Sequence, residues 1–117
     1  TFGGATTGIT YTEQNADYTK LGRAVHFRIY LKLSAKGSAT GAATVSGLPF
    51  TPQAAPRYSN VSIYASDMTG ITAQLQGFLN GTTVQLTHAG LVGTAANVTD
   101  ANFASFTTLM ISGTYFV

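Results

Sequence analysis

The stretch AVHFRIYLKLSAKG, residues 24–37, contains the clearest structural signal in the chain. Apolar side chains alternate along it with polar or charged ones. The apolar set is Val25, Phe27, Ile29, Leu31 and Leu33, and the polar set is His26, Arg28, Tyr30 and Lys32. A period of two indicates a β-strand with one face toward a core. We therefore predict a strand with five side chains buried in that core.

The polar face of this strand is open to three interpretations. In a half-buried antiparallel strand, the polar side faces solvent by default. The same four residues, His26, Arg28, Tyr30 and Lys32, are also candidates for a subunit interface, where arginine is favoured over lysine. A third interpretation is contact with a glycan, including an anionic sugar, because Tyr30 offers a flat apolar ring with a polar tip. The chain has few acids with which Arg28 and Lys32 could pair.

Segments with a period of two continue along the rest of the chain, separated by turn residues. Gly22 is expected to mark a bulge before the long strand. Further strands are predicted at residues 9–14, 42–50, 61–66 and 106–117, and a hairpin is predicted at residues 71–90 with its turn at Asn80–Gly81. The intervening residues 35–41 and 51–60 have loop composition, and one helical turn is expected at residues 99–103.

Seven or eight short strands without a helical period predict an all-β protein, an antiparallel β-sandwich. We expect a single domain at residues 9–117, preceded at residues 1–8 by a Gly/Thr-rich linker to a missing upstream region. The chain ends on Tyr115, Phe116 and Val117, and large apolar side chains are costly to leave in water. The last strand is therefore expected inside a sheet or at a subunit contact, which adds Tyr115 and Phe116 to the interface candidates.

The composition argues against several classes of function. Charged residues make up 9% of the 117 residues and the formal net charge is +2, far from the dense basic footprint of nucleic-acid binding proteins. No apolar run approaches the roughly 20 residues of a membrane span. The chain has no cysteine, which excludes disulfides and thiolate metal sites. We predict no nucleic-acid partner and no membrane insertion, and the uncharged polar surface suits carbohydrate contact or packing in an assembly.

The titratable side chains form no recognisable catalytic or metal-binding pattern; they include Glu13, Asp17, Asp67, Asp100, His26 and His88. Glycosidases need two carboxylates placed across a cleft. Glu13 and Asp17 are close in sequence, but the stretch EQNAD that contains them is expected to be a solvated turn. No G-x-S-x-G nucleophile motif occurs, and two isolated histidines do not make a zinc site. We predict no enzyme activity, no metal and no cofactor.

A group of aromatic and amide side chains is the leading candidate for recognition. Sugar binding uses aromatic faces for the C–H surface of the ring, with amides and hydroxyls for its hydroxyl groups. The candidate glycan-binding residues are Arg57, Tyr58, Asn60 and Tyr64 around the end of the proline-rich loop, with Gln74 and Gln76 on the polar face of the hairpin. The alternative is that Tyr58 and Tyr64 only pack at the rim of the sheet.

Several short motifs, in their order and spacing, resemble the C-terminal domains of bacteriophage tail fibres and tailspikes. A Y-T-K-x-G entry precedes the long strand, an S-x-K-G-x-x-x-G loop follows it, and G-L-P-F and G-T-Y sequences come later. The matching residues are Tyr18, Thr19, Lys20, Gly22, Ser34, Lys36, Gly37, Gly41, Gly47, Leu48, Pro49, Phe50, Gly113, Thr114 and Tyr115. The resemblance spans residues 18–117.

The resemblance implies a setting for the domain. It implies a jelly-roll-like β-sandwich, assembled as a homotrimer and located extracellularly on the virion tail. The implied function is attachment to the host through a bacterial surface glycan. The alternative is a purely structural domain that trimerises or caps a fibre or a capsule-depolymerising tailspike. The resemblance carries over no catalytic residues.

Overall fold

The chain is an antiparallel all-β protein, which confirms the all-β, antiparallel part of the predicted fold class. A computed structural model describes residues 1–54, 58–89 and 93–117. The strands are β1 (Thr10–Leu21), β2 (Ala24–Ala35), β3 (Thr44–Ser46), β4 (Asn60–Met68), β5 (Gln74–Asn80), β6 (Thr83–Ala89), β7 (Ala96–Asn97) and β8 (Phe103–Phe116). Among these residues, no helix has both the length and the apolar character needed to cross a membrane.

All the strands belong to one curled sheet in the order β1-β2-β8-β4-β5-β6-β3, with β7 beside β6. The C-terminal strand β8 lies at the centre of one half, hydrogen-bonded to β2 on one side and to β4 on the other. Its predicted place inside a sheet is therefore confirmed. The central position buries Tyr115, whereas the side chain of Phe116 remains exposed.

The sheet bends between β4 and β5, where only Asn60 with Phe78 and Val61 with Gly77 are paired. On one side of the bend are β1, β2, β8 and β4, and on the other are β5, β6 and β3. Buried side chains from both sides form one hydrophobic cluster, including Val25, Phe27, Leu109 and Ile111 from the first side and Leu79, Val84 and Leu86 from the second.

The alternation along β2 appears as predicted. Val25, Phe27 and Leu33 are buried, and Ile29 and Leu31 pack against the same cluster while partly exposed. The hairpin of β5 and β6 is confirmed, but its turn lies one residue later than predicted: Asn80 is still paired, with Thr83, and the two turn residues are Gly81 and Thr82. Gly81 alone takes the positive φ, 60°, that the first residue of such a turn requires.

The first strand differs from expectation. A strand at residues 9–14 followed by a solvated turn was predicted, but β1 is continuous from Thr10 to Leu21 and includes EQNAD. Gly22 lies in the tight turn that joins β1 to β2, with φ 58°, and does not form a bulge. The EQNAD stretch lacks glycine and proline, so pairing with the long β2 overrides its weak turn preference.

The N-terminal segment, residues 1–8, packs as part of the domain and not as a flexible linker. The side chain of Phe2 is only 4% exposed and meets Phe103 edge to face, with ring centroids 4.9 Å apart. The backbone of Gly3 donates to the carbonyl of Ala42, and the Thr1 amino group donates to the carbonyl of Thr44. A single aromatic residue among glycines and threonines is enough to fix the segment, and composition alone does not reveal it.

The segment at residues 42–50 forms less strand than predicted. Only Thr44–Ser46 pairs with β6, and the chain then leaves the sheet. Phe50 is held by Tyr115, whose hydroxyl donates to the Phe50 carbonyl at 3.1 Å and accepts from the Phe50 N–H at 3.3 Å. The expected helical turn appears as a short 3-10 helix at Asp100–Asn102.

Candidate functional site: the outer face of the sheet

The exposed face of β1, β2, β8 and β4, opposite the core, is named here the outer face. Strand pairing brings Tyr30, Met110 and Tyr64 into one row across it, because Met110 pairs with Tyr30 on one side and Tyr64 on the other. Adjacent strands lie about 4.8 Å apart, so the two tyrosines leave the backbone about 10 Å from each other. Tyr64 is 59% exposed, Met110 is also exposed and Tyr30 is half-buried.

The next row along the strands contains a charged pair. Arg28 lies opposite Asp17 and donates from Nε at 3.0 Å and from Nη2 at 2.9 Å to its two carboxylate oxygens. These hydrogen bonds, with the charge of Asp17, raise the pKa of Arg28. The row continues through Ser112 to Ser62, whose small side chains stand lower than the tyrosines.

A shallow groove of about 610 Å³ runs between the two rows. We name it the tyrosine groove. The outer-face side chains along it are Asn15, Asp17, Arg28, Tyr30, Ser62, Tyr64, Met110 and Ser112. It thus combines two aromatic rings, hydroxyls, an amide and one Arg–Asp pair, and the charges of that pair cancel.

The cations of β2 are better matched by acids than the sequence suggested. Arg28 pairs with Asp17, and Lys32 lies opposite Glu13 in the strand register. The expectation that few acids were available to these cations is wrong, because EQNAD is strand and its acids alternate onto the same face. On the outer face, the charges of Arg28 and Lys32 are therefore balanced by those of Asp17 and Glu13.

A second groove, which we name the amide groove, lies where β4 and β5 separate. It has a volume of about 470 Å³ and is lined in part by Asn60, Ser62, Gln74, Gln76 and Phe78. Three of the predicted glycan-binding residues, Asn60, Gln74 and Gln76, are thus brought together by the fold. Ser62 lines both grooves, so the two are neighbours.

The remaining glycan candidates are Tyr58, which does not line either groove, and Arg57. Tyr58 is exposed and its ring meets Phe78 edge to face, with centroids 6.0 Å apart. Because Phe78 lines the amide groove, Tyr58 stands beside that groove. Arg57 falls outside the described residues.

The candidate interface residues separate into three groups. Arg28 and Tyr30 line the tyrosine groove, whereas Lys32 lies one row beyond it. His26 is hydrogen-bonded through Nδ1 to the hydroxyl of Thr114 at 2.7 Å.

The two C-terminal candidates differ in exposure. Phe116 is 54% exposed and available to a second subunit. Tyr115 is fully buried in its own chain, so its side chain cannot contact another subunit. The inward direction of Tyr115 follows from its pairing with Val25.

The sequence did not identify several residues that line the grooves as candidates for the site, notably Asp17, Ser62, Met110 and Ser112. None of them carries a motif, and they meet only because of the register among β1, β2, β8 and β4. Within the part of the chain that the structure describes, no three His, Cys, Asp or Glu side chains are grouped to hold a metal ion. Comparison with protein-family models, with curated proteins and with solved structures gave no match to this chain.

Proposed function

We propose that this domain is a host-attachment module that binds bacterial surface polysaccharide at the C-terminal end of a trimeric phage tail fibre or tailspike. The observation that carries the binding proposal is the tyrosine groove with the amide groove beside it. Aromatic rings next to amides and hydroxyls are the groups that recognise sugars. The phage setting is supported by the sequence resemblance of residues 18–117.

The two grooves together suit an extended ligand. They share Ser62, so a linear polysaccharide lying over Tyr64 can reach the amides of Gln74 and Gln76 on the far side of β4. Tyr64 and Gln74 also line one further depression of the surface together. A chain of sugars would therefore contact aromatic and amide groups in succession.

We further propose that the curled sheet acts as a jelly-roll-like sandwich in a homotrimer. The support for a sandwich is the bend between β4 and β5, across which both halves contribute to one core. The support for association is an exposed apolar pair at one end of the outer face. Leu21 is 77% exposed and Phe116 is 54% exposed, and both lie opposite Ala24 in the register.

This end of the sheet is far enough from the tyrosine groove for both contacts to coexist. Six residues along β2 separate Ala24 from Tyr30, which is about 20 Å of extended strand. A subunit contact at Leu21 and Phe116 would leave Tyr30 and Tyr64 open. In this arrangement Arg28 and Tyr30 serve the groove, and the interface lies at the end of the sheet.

The second candidate function is the purely structural one, a domain that trimerises or caps a fibre without touching a receptor. The exposed Leu21 and Phe116 favour it, because their burial between subunits needs no ligand. The two functions differ in whether the isolated trimer binds cells or glycans at all.

The test is binding of the purified domain to an array of bacterial surface polysaccharides. We expect saturable binding that falls about fivefold in Tyr64→Ala, since a stacked aromatic ring contributes on the order of 1 kcal/mol. Tyr58→Ala is expected to weaken binding less, because Tyr58 lies beside the amide groove. The matched control is Phe106→Ala, which removes an exposed aromatic outside both grooves.

Two results would contradict the attachment proposal. If the wild-type trimer binds no glycan and no host cell, the structural alternative stands. If Tyr64→Ala and Phe106→Ala weaken binding equally, the site is not the tyrosine groove.

A further inference from the structure

We propose that the tyrosine groove selects a neutral polysaccharide, and that the Asp17–Arg28 pair binds the hydroxyl groups of one sugar unit. This inference rests on the proposed function and specifies its ligand class. The strand register sets the charges around the groove.

The Asp17–Arg28 pair has unused hydrogen-bond donors and acceptors that can bind the hydroxyl groups of a sugar. Two N–H groups of Arg28 are engaged by the two oxygens of Asp17. The guanidinium keeps further N–H donors, and each carboxylate oxygen keeps a lone pair. Neighbouring hydroxyls of a sugar both donate and accept, so one can accept from Arg28 while the next donates to Asp17. Both side chains are exposed, at 77% and 64%, and can be reached.

An acidic sugar is bound less favourably at the same place, because the part of the groove that the structure describes has no uncompensated positive charge. Among the residues that line the groove, Arg28 is the one cation, and Asp17 compensates its charge. A ligand carboxylate that approaches Arg28 also approaches the Asp17 carboxylate, and like charges at close range repel. Lys32, in the row beyond the groove, lies opposite Glu13, so this pair adds no net positive charge to the outer face.

The two tyrosines that border the groove are also suited to a neutral sugar. Tyr30 and Tyr64 border the groove and present neutral ring faces, which take up the C–H surface of a sugar without regard to its charge. His26, one row away on the other side, shares its Nδ1 with the Thr114 hydroxyl. Binding should therefore depend little on salt, in contrast to recognition by an uncompensated cation.

The experiment uses one polymer in two forms. The probes are a capsular polysaccharide that contains glucuronic acid and the same polymer after its carboxyl groups are reduced to alcohols, together with a panel of neutral polysaccharides. We expect the full chain to bind neutral members of the panel and to prefer the reduced polymer to the acidic one. Affinity should change little between low and physiological salt.

Variants of β1 test the role of the charged pair. Asp17→Asn leaves the charge of Arg28 uncompensated, so the ratio of acidic to reduced polymer bound should rise about tenfold and become salt-dependent. Glu13→Gln is the matched control, because it removes the same charge from the same strand at a residue that does not line the groove. Because Glu13→Gln leaves Lys32 uncompensated one row beyond the groove, its ratio should rise much less than that of Asp17→Asn. Thermal unfolding of both variants checks that the fold is kept.

The possible failures are distinguishable. If the wild type prefers the acidic polymer and loses it in salt, the inference is overturned while the attachment proposal stands. If Glu13→Gln shifts the ratio as much as Asp17→Asn, general charge and not the groove sets the preference. If no polysaccharide on the panel or on host cells is bound, the proposed function fails and this inference falls with it.

Discussion

At the residue scale, Tyr115 joins the core to the segment that leaves β3. Its ring is fully buried against Phe27, and its hydroxyl holds both backbone groups of Phe50. Tyr115→Phe keeps the ring but leaves the N–H and C=O of Phe50 without their hydrogen-bond partner. We expect a loss of about 1–2 kcal/mol in the free energy of unfolding, measured by urea denaturation. An unchanged midpoint would show that Phe50 finds other partners.

The same residue makes stability depend on alkaline pH. Burial raises the pKa of Tyr115 above its ordinary value of 10.0. The buried tyrosine keeps its proton to higher pH than the same residue in the unfolded chain, so above the ordinary value the folded state binds more protons. Its contribution to stability is therefore complete below that value and is lost as the pH rises through the folded pKa.

We expect the free energy of unfolding to fall less steeply in Tyr115→Phe than in wild type between about pH 9 and pH 11. Urea titrations at several pH values measure the two slopes. The two proteins differ in no other titratable group, so the difference in slope reports Tyr115. Equal slopes would contradict this assignment.

Gly113 on β8 is required by close packing and not by a turn. A Cβ at this position would lie 2.9 Å from Val61 Cγ1 and 3.1 Å from Phe27 Cε1. Gly113→Ala is expected to lower the free energy of unfolding by about 1–3 kcal/mol, because the core must shift to admit a methyl group. Ser112→Ala, next to it on the outer face, serves as the control and should have little effect on thermal unfolding.

At the element scale, the N-terminal segment behaves as a part of the core. We expect Phe2→Ala to cost about 3–4 kcal/mol in the free energy of unfolding, because it empties the space beside Phe103. Thr6→Ala changes an exposed residue of the same segment and should be nearly neutral. If Phe2→Ala is also neutral in denaturant titration, residues 1–8 are a linker after all.

The loop after β2 meets this segment backbone to backbone. A Cβ on Gly37 would overlap the carbonyl of Thr7, and a Cβ on Gly41 would lie 2.8 Å from the Cα of Gly3. Both glycines also have positive φ values. The glycine spacing that resembles the fibre domains therefore has a structural reason in this chain, since it lets the loop close over the N-terminal segment.

Strand β1 is the least protected element of the larger half of the sheet. All twelve of its residues are exposed, and β2 is the one strand hydrogen-bonded to it among the residues that the structure describes. Charged side chains and an irregular register near Tyr11 reduce the risk of edge-to-edge pairing. We expect amide hydrogens of β1 to exchange faster than those of β8, measured peptide by peptide by mass spectrometry. Equal protection in the isolated domain would point to a second chain covering β1.

At the scale of the whole molecule, the proposal requires a trimer. We expect light scattering at micromolar concentration to give three times the mass of the chain. Replacing both Leu21 and Phe116 by serine should shift the mass toward the monomer, because each large side chain contributes about 1.5–3 kcal/mol when buried. Exposed Tyr18, on the opposite face of β1, offers a control as Tyr18→Ser. A wild-type monomer at these concentrations would exclude both fibre functions.

The sequence by itself determined the elements whose signal is local. The alternation along β2, the β5–β6 hairpin with Gly81 in its turn and the all-β class all depend on neighbours within a few residues. Periodicity and turn preference report such features because the side-chain period of a strand and the φ of a tight turn are set locally.

Only the tertiary structure decided which residues meet. Asp17 pairs with Arg28, Tyr30 shares a row with Tyr64, and Phe2 enters the core through contacts between residues distant in sequence. A shift of one residue in strand register moves every side chain to the opposite face, so the composition of the outer face is a property of the assembled sheet. The candidate site lies where four strands meet, and no single one of them carries its pattern.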